Sequence, residues 1–203
     1  MRKYKLNEHF FDELNEKSAY WLGFLYADGY VRMKDGKSGE LKLKLKDTDV
    51  GHISKLLNDL ECDNPIKCGV DKKSKFCSVT IYSNLMVNRL FDLGCVNNKT
   101  QKIRLPKLGE VLMPHFIRGY FDGDGSISKV KNRPNSFVVS ICSNNDFNDD
   151  IIKFLGFGKP YKYENYSIIK ISKIMDIINF KNYIYTNAVT LLERKLIKFK
   201  EIK

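Results

Sequence analysis

Tyr20-Trp21-Leu22-Gly23-Phe24-Leu25-Tyr26-Ala27-Asp28-Gly29 is answered later in the chain by Phe116-Ile117-Arg118-Gly119-Tyr120-Phe121-Asp122-Gly123-Asp124-Gly125, which places Asp124 96 residues after Asp28. That offset is close to half of the 203 residues, so one structural unit is present twice. Downstream, Val79-Thr80-Ile81-Tyr82-Ser83-Asn84-Leu85-Met86 is echoed by Ile168-Ile169-Lys170-Ile171-Ser172-Lys173-Ile174-Met175. The segment Ala19 to Ala27 is apolar nearly all round, which predicts a helix buried on most sides. Gly23 and Ala27 stand four apart on one face of it, as Gly119 and Gly123 do in the second copy. Small residues at that spacing let two backbones approach closely, so the two helices are expected to pack on each other at the centre of the molecule. Gly29 and Gly125 are then expected in the left-handed conformation just past a helix C-terminus.

This arrangement leaves Asp28 and Asp124 side by side on the last turns. Two carboxylates, each at the negative end of a helix dipole, repel one another, and a cation relieves the repulsion. Carboxylate and carbonyl oxygens are hard ligands, which favours Mg²⁺ or Ca²⁺ over zinc or copper. A divalent ion held there can activate water and stabilise charge building on a phosphate under attack. An Asp-Gly helix stop is the ordinary meaning of a single such motif; its duplication, with matched upstream glycines, favours the metal reading.

Each unit reads as helix, hairpin, helix, hairpin, helix. Leu41, Leu43 and Leu45 alternate with Lys42, Lys44 and Lys46, the period of a strand with one buried face. A helix follows from about Thr48 to Leu60, then a turn at Asp71-Lys72-Lys73-Ser74, a strand from Phe76 to Tyr82 and a helix from Asn84 to Leu93. The second unit reads as a hairpin of Ser126 to Arg133 with Ser136 to Cys142, a helix from Asp146 to Leu155, strands near Tyr161 and at Tyr166 to Ile171, and helices at Ile174 to Phe180 and Thr186 to Lys200. Pro106, Gly109 and Pro114 mark a connecting segment. The expected organisation is a first half over 1–96, a linker over 97–114 and a second half over 115–203.

A net charge of +11 and a pI near 9.3 exclude an acidic scaffold and point to a polyanionic partner. The charge is shared, with 19 basic against 14 acidic residues up to residue 105 and 16 against 10 after it, which suits two comparable units on one long polyanion. The alternating lysines have a solvated strand face as their usual meaning; here DNA contact is favoured, because a major groove admits a two-stranded ribbon. The candidate DNA-binding residues are Lys42, Lys44, Lys46, Lys72, Lys73 and Lys75 in the first unit, and Lys129, Lys131 and Arg133 in the second. Tyr161, Tyr163 and Tyr166 are expected as core or edge residues. Five cysteines without a C-x-x-C pair read as reduced, mostly buried thiols, and the three histidines show no metal spacing. No apolar run is long enough for a bilayer and the basic start leads into polar sequence, so a soluble intracellular protein, cytoplasmic or organellar, is expected. Met1 and Lys203 are not the terminal residues that intein splicing needs, so an excised intein is not expected.

The two decapeptides resemble the signature of the LAGLIDADG homing endonucleases, and their double occurrence with this element order resembles the single-chain, two-motif members; the resemblance runs from Ser18 to about Lys200. It implies an α+β fold of two αββαββα halves related by a pseudo-two-fold axis, packed through the signature helices, with antiparallel sheets forming a saddle over the DNA major groove. It implies that Asp28 and Asp124 bind divalent metal, Mg²⁺ with Mn²⁺ as a substitute and Ca²⁺ binding without cleavage, assisted by the Ala27 and Gly123 carbonyls. Each site would then cut one strand of a long pseudo-palindromic duplex, leaving short 3′ overhangs, with the protein acting as a monomer. Lys99 and Lys195 resemble the basic residue that each half contributes. The motif's earlier acid is Asp122 in the second copy but Tyr26 in the first, and Arg118 stands where a small residue is usual. The alternatives on the same scaffold are an RNA maturase bound to its host intron RNA and a DNA-binding protein that has lost cleavage.

Overall fold

The computed structural model describes residues 3–34, 37–72, 74–96 and 102–202. Its first unit runs α1 (Glu16–Asp28), β1 (Gly29–Lys34), β2 (Lys37–Lys46), a short 3-10 turn, α2 (Val50–Asp59), β3 (Lys67–Asp71), β4 (Ser74–Tyr82) and α3 (Asn84–Asp92). The second runs α4 (Met113–Asp124), β5 (Gly125–Val130), β6 (Arg133–Ser143), α5 (Asn145–Leu155), β7 (Lys159–Lys162), β8 (Ser167–Ile171), α6 (Ile174–Tyr185) and α7 (Glu193–Lys200). The sheets are ordered β1-β2-β4-β3 and β5-β6-β8-β7, with every pairing antiparallel. This is the expected α+β architecture, built twice. No described helix is long and apolar enough to cross a membrane.

α1 begins in a capping box, where the Asn15 side chain accepts from the Lys17 and Ser18 amides and the Ser18 hydroxyl accepts from Asn15 N–H. From Ser18 to Ala27 every residue is buried, because α1 has the first sheet on one side and α4 on the other. The small residues decide how close that pairing is. A Cβ placed on Gly23 would stand 2.0 Å from the Phe116 carbonyl oxygen, and one on Gly119 would stand 1.9 Å from that of Tyr20. Gly23 meets Phe116 and Tyr120, while Gly119 meets Tyr20 and Phe24, which are the same positions shifted by one repeat. Such reciprocal contacts are the mark of an isologous interface about a two-fold axis.

Gly29 and Gly125 depart from expectation. Both are extended, with φ/ψ of −70°/144° and −74°/158°, and neither needs the left-handed region. Their missing side chain serves packing instead: a Cβ on Gly29 would lie 2.7 Å from Leu25 O, and one on Gly125 would lie 2.1 Å from the Phe121 ring. The helix therefore passes directly into a strand that turns back across its own last turn.

Three further expectations are corrected. Residues 186–192 are not helical; α6 runs on to Tyr185 and α7 starts at Glu193, because the buried Arg118 guanidinium takes the carbonyls of Ile184 and Thr190. Cys68 and Cys77 form a disulfide, with Cα atoms 4.0 Å apart, since the β3–β4 register sets them directly opposite. Of the three free thiols, Cys95 is buried, Cys62 half-buried and Cys142 exposed. Of Tyr161, Tyr163 and Tyr166 none is a core residue, since all are exposed; Tyr161 does lie on edge strand β7, as the edge alternative expects, and the other two stack with ring centroids 4.6 Å apart.

Candidate nuclease centre and nucleic-acid interface

The close approach of α1 and α4 brings their C-terminal ends together. A Cβ on Gly123 would lie 2.4 Å from Ala27 Cβ and 3.3 Å from Asp28 Oδ2, so the Asp28 carboxylate stands against the last turn of α4. Asp28 and Asp124 are both exposed, whereas the residue before each belongs to the helix contact. The Tyr120 hydroxyl is pushed up in pKa first by burial and then by the charge of Asp124, with Asp28 adding to it. Both carboxylates thus act on one point. Beside Asp124 opens a hollow of about 180 Å³ lined by Ala27, Tyr26, Tyr120, Cys142 and Tyr166 among others.

Lys195 reaches this place from α7. It is only 5% exposed, its ammonium donates to the carbonyl of Gly125, and it lies 5.4 Å from the Phe121 ring centroid. Burial pushes its pKa down to about 8, with Arg194 adding and Asp122 and Asp28 opposing. α7 is held in position from both halves. Arg194 donates to both carboxylate oxygens of Asp49 at 3.0 Å, Lys55 pairs with Glu193 and donates to Leu191 O, and Asp122 accepts from Leu192 N–H at 2.7 Å.

Asp122 is the hub of a network that the sequence did not announce. It is fully buried and accepts from Tyr20 at 2.9 Å and Tyr185 at 2.5 Å as well as from Leu192. Tyr20 also meets His52 at 2.9 Å, and Arg118 joins Glu16 at 2.9 Å. Burial raises the Asp122 pKa to about 6 and lowers that of His52 to about 4.

The oxygen donors fit a hard cation. Among the described residues no group of three or more His, Cys, Asp and Glu could hold a metal, so the chain offers two carboxylates and the neighbouring Ala27 and Gly123 carbonyls. A four-ligand structural zinc site cannot be made from these. Mg²⁺ characteristically keeps several waters and takes one or two carboxylates together with substrate phosphates, and this donor set matches that habit.

The sheets place the basic candidates unequally. Lys42, Lys44 and Lys46 share the face of the first sheet turned from the helices, since Leu41, Leu43 and Leu45 point inward. Lys44 already pairs with Asp71 at 2.9 Å and lies 4.0 Å from the Phe76 ring centroid. Lys72 is exposed in the β3–β4 turn at φ 46°, and the exposed Lys75 pairs with Val70 on the side of the disulfide. Lys131 and Arg133 are exposed at the β5–β6 turn. Lys129 is corrected: it stands opposite the buried Phe137 on the helix side and pairs with Glu201 at 3.1 Å, because its register follows Ile127 rather than Ser128. Lys73 and Lys99 lie outside the described residues. Sequence reasoning missed Lys67, Lys159 and Lys170 on the outer faces; the alternation Ile169-Lys170-Ile171 carried the signal for the last.

The fold recurs in solved structures. The LAGLIDADG meganuclease I-AabMI bound to uncleaved DNA superposes with a TM-score of 0.64 over 93% of this chain and 89% of its own, at 12% identity. The fold is that of the LAGLIDADG meganucleases. The LAGLIDADG homing endonuclease I-SmaMI gives 0.61 on cleaved DNA (14% identity, 93% of this chain, 88% of that one) and 0.54 on uncleaved target with calcium ions (17%, 85% and 85%). In sequence, the chain is 29% identical over 152 residues to a replication factor C small subunit of Methanocaldococcus jannaschii, covering 72% of this chain but only 8% of that protein's length. No family model matches.

Proposed function

We propose that this chain is a site-specific double-strand DNA endonuclease that hydrolyses phosphodiester bonds with a divalent metal, acting as a single chain and leaving short 3′ overhangs. The observation that carries the reading is the convergence of two exposed helix-end carboxylates, one from each half, between two basic sheets. The LAGLIDADG fold shared with meganucleases solved on DNA supports it.

Asp28 and Asp124, with the Ala27 and Gly123 carbonyls, would hold the metal. When bound, Mg²⁺ supplies Lewis-acid stabilisation of phosphate charge and lowers the pKa of water; Mn²⁺ substitutes, and Ca²⁺ binds without supporting cleavage. The chain's own groups do the rest. The two acids fix positions on either side of the false dyad, so that opposite strands are addressed together. Lys195, buried with its ammonium on the Gly125 carbonyl, provides a donor beside the end of α4. Half-buried Lys42 and the exposed Lys46, Lys131 and Arg133 anchor the duplex through phosphates and base edges.

Asp28→Asn and Asp124→Asn test the reading. Each is expected to lower cleavage of a selected duplex in Mg²⁺ by at least about 100-fold, while gel-shift affinity in Ca²⁺ stays within a few-fold of the parent. Wild-type cutting by either variant refutes the assignment.

A further inference from the structure

Each half sends the segment that follows its last sheet helix across to the other. After the first unit, the Ile103 carbonyl accepts from Asn144 Nδ2 at 3.0 Å and Arg104 forks onto Asp150 of α5 at 2.8 and 2.9 Å. After the second, Arg194 of α7 forks onto Asp49, just before α2: its Nε lies 3.0 Å from both carboxylate oxygens and its Nη2 2.9 Å from Oδ2. Lys55 of α2 adds bonds to Glu193 and to the Leu191 carbonyl. The second arm carries Lys195, the residue after Arg194, onto the carbonyl of Gly125 beside Asp124.

Asp49 does not serve its own helix. It stands at the N-cap of α2, where an aspartate ordinarily accepts from a following amide, yet it makes no such bond. It is only 9% exposed, and both of its oxygens face Arg194. A carboxylate taken out of water and turned onto one guanidinium fixes that guanidinium in place, because the planar fork meets it in a defined geometry. Lys195 is the next residue on the same helix, so its place is fixed as well.

Resting on the nuclease reading above, we propose that Asp49 and Arg194 are positioning residues for the second half's lysine. Through this pair the first half holds Lys195 at the end of α4, and so governs the cutting of one strand while leaving the other strand's cut alone.

Two measurements on the full chain separate this proposal from the reading it rests on. Acylation by an N-hydroxysuccinimide ester, read by peptide mass spectrometry without DNA, reports how firmly Lys195 is held. Asp49→Ala is expected to raise Lys195 labelling at least about fivefold relative to the exposed Lys131, and Arg104→Ala, which breaks the counterpart pair, to leave it unchanged. Strand-resolved cleavage of a selected duplex in Mg²⁺ is the second. Asp49→Ala and Arg194→Ala are each expected to lower kcat for the same strand about tenfold, with KM within about twofold and the other strand unaffected, so that nicked duplex accumulates. The double variant is expected to be no slower than either single one. Unchanged Lys195 labelling in Asp49→Ala, a rise in Arg104→Ala as well, wild-type cutting of both strands, equal slowing of both, or additive losses overturns the proposal. Raised Lys195 labelling in Asp49→Ala, from a parent chain that cuts neither strand, keeps the positioning role and refutes the nuclease reading instead.

Discussion

Tyr26 and Asp122 occupy the same position of the repeated helix and do opposite chemistry for the same purpose. Tyr26 donates to the carbonyl of Leu93 at 2.6 Å, tying α1 to the end of α3; Asp122 accepts from Leu192 N–H, tying α4 to the start of α7. A helix end presents carbonyls and a helix start presents amides, so the first tether must be a donor and the second an acceptor. The difference teaches that the fold requires a tether at this position rather than a particular residue. It also explains why the earlier acid of the motif is absent from the first copy without loss of architecture.

The strongest way to break the comparison is to remove what both halves share. Gly119→Val puts side-chain atoms where the Tyr20 carbonyl stands, and is expected to cost more than about 4 kcal/mol in chemical denaturation or to yield no folded protein. Next comes the acceptor tether: Asp122→Ala strands the Tyr185 hydroxyl and the Leu192 amide and leaves the Tyr20 hydroxyl with His52 alone, with an expected loss of about 3 to 5 kcal/mol. The donor tether is weaker, and Tyr26→Phe is expected to cost only about 1 kcal/mol. Equal losses at positions 26 and 122 in the same denaturation series contradict the asymmetry.

Burial also shifts the pKa of the acid tether, and it has an opposing neighbour. Asp122, raised from 3.8 to about 6, contributes stability that is complete below pH 3.8 and lost as pH rises through 6. His52, lowered from 6.5 to about 4, contributes stability that is complete above pH 6.5 and lost as pH falls through 4. Each amounts to about 3 kcal/mol and the two largely cancel. Asp122→Asn is therefore expected to lose stability more steeply than the parent between pH 6.5 and 4, and His52→Phe to gain it; parallel profiles for all three break this account.

The helices, most strands and the paired acids were legible because their signals are local: apolar periodicity, glycines four apart, and alternating Leu and Lys. Even so, the local pattern predicts one helix over Thr186–Lys200, since nothing nearby reveals that Arg118, 72 residues before Thr190, takes the Thr190 carbonyl. Lys129 looked like its neighbour Lys131 until the strand register turned it to the helix side.

By itself the sequence determined that one unit is built twice, that two small-faced helices meet, and that an acid ends each of them, because spacing along a helix or strand converts directly into a shared face. Only the tertiary structure decided the Cys68–Cys77 bond, the network around Asp122 and Arg118, the approach of Lys195 to Gly125 and the pairing of Arg194 with Asp49. Each of these joins groups through register or through contacts between distant segments, and such pairings exist only once the chain has closed on itself.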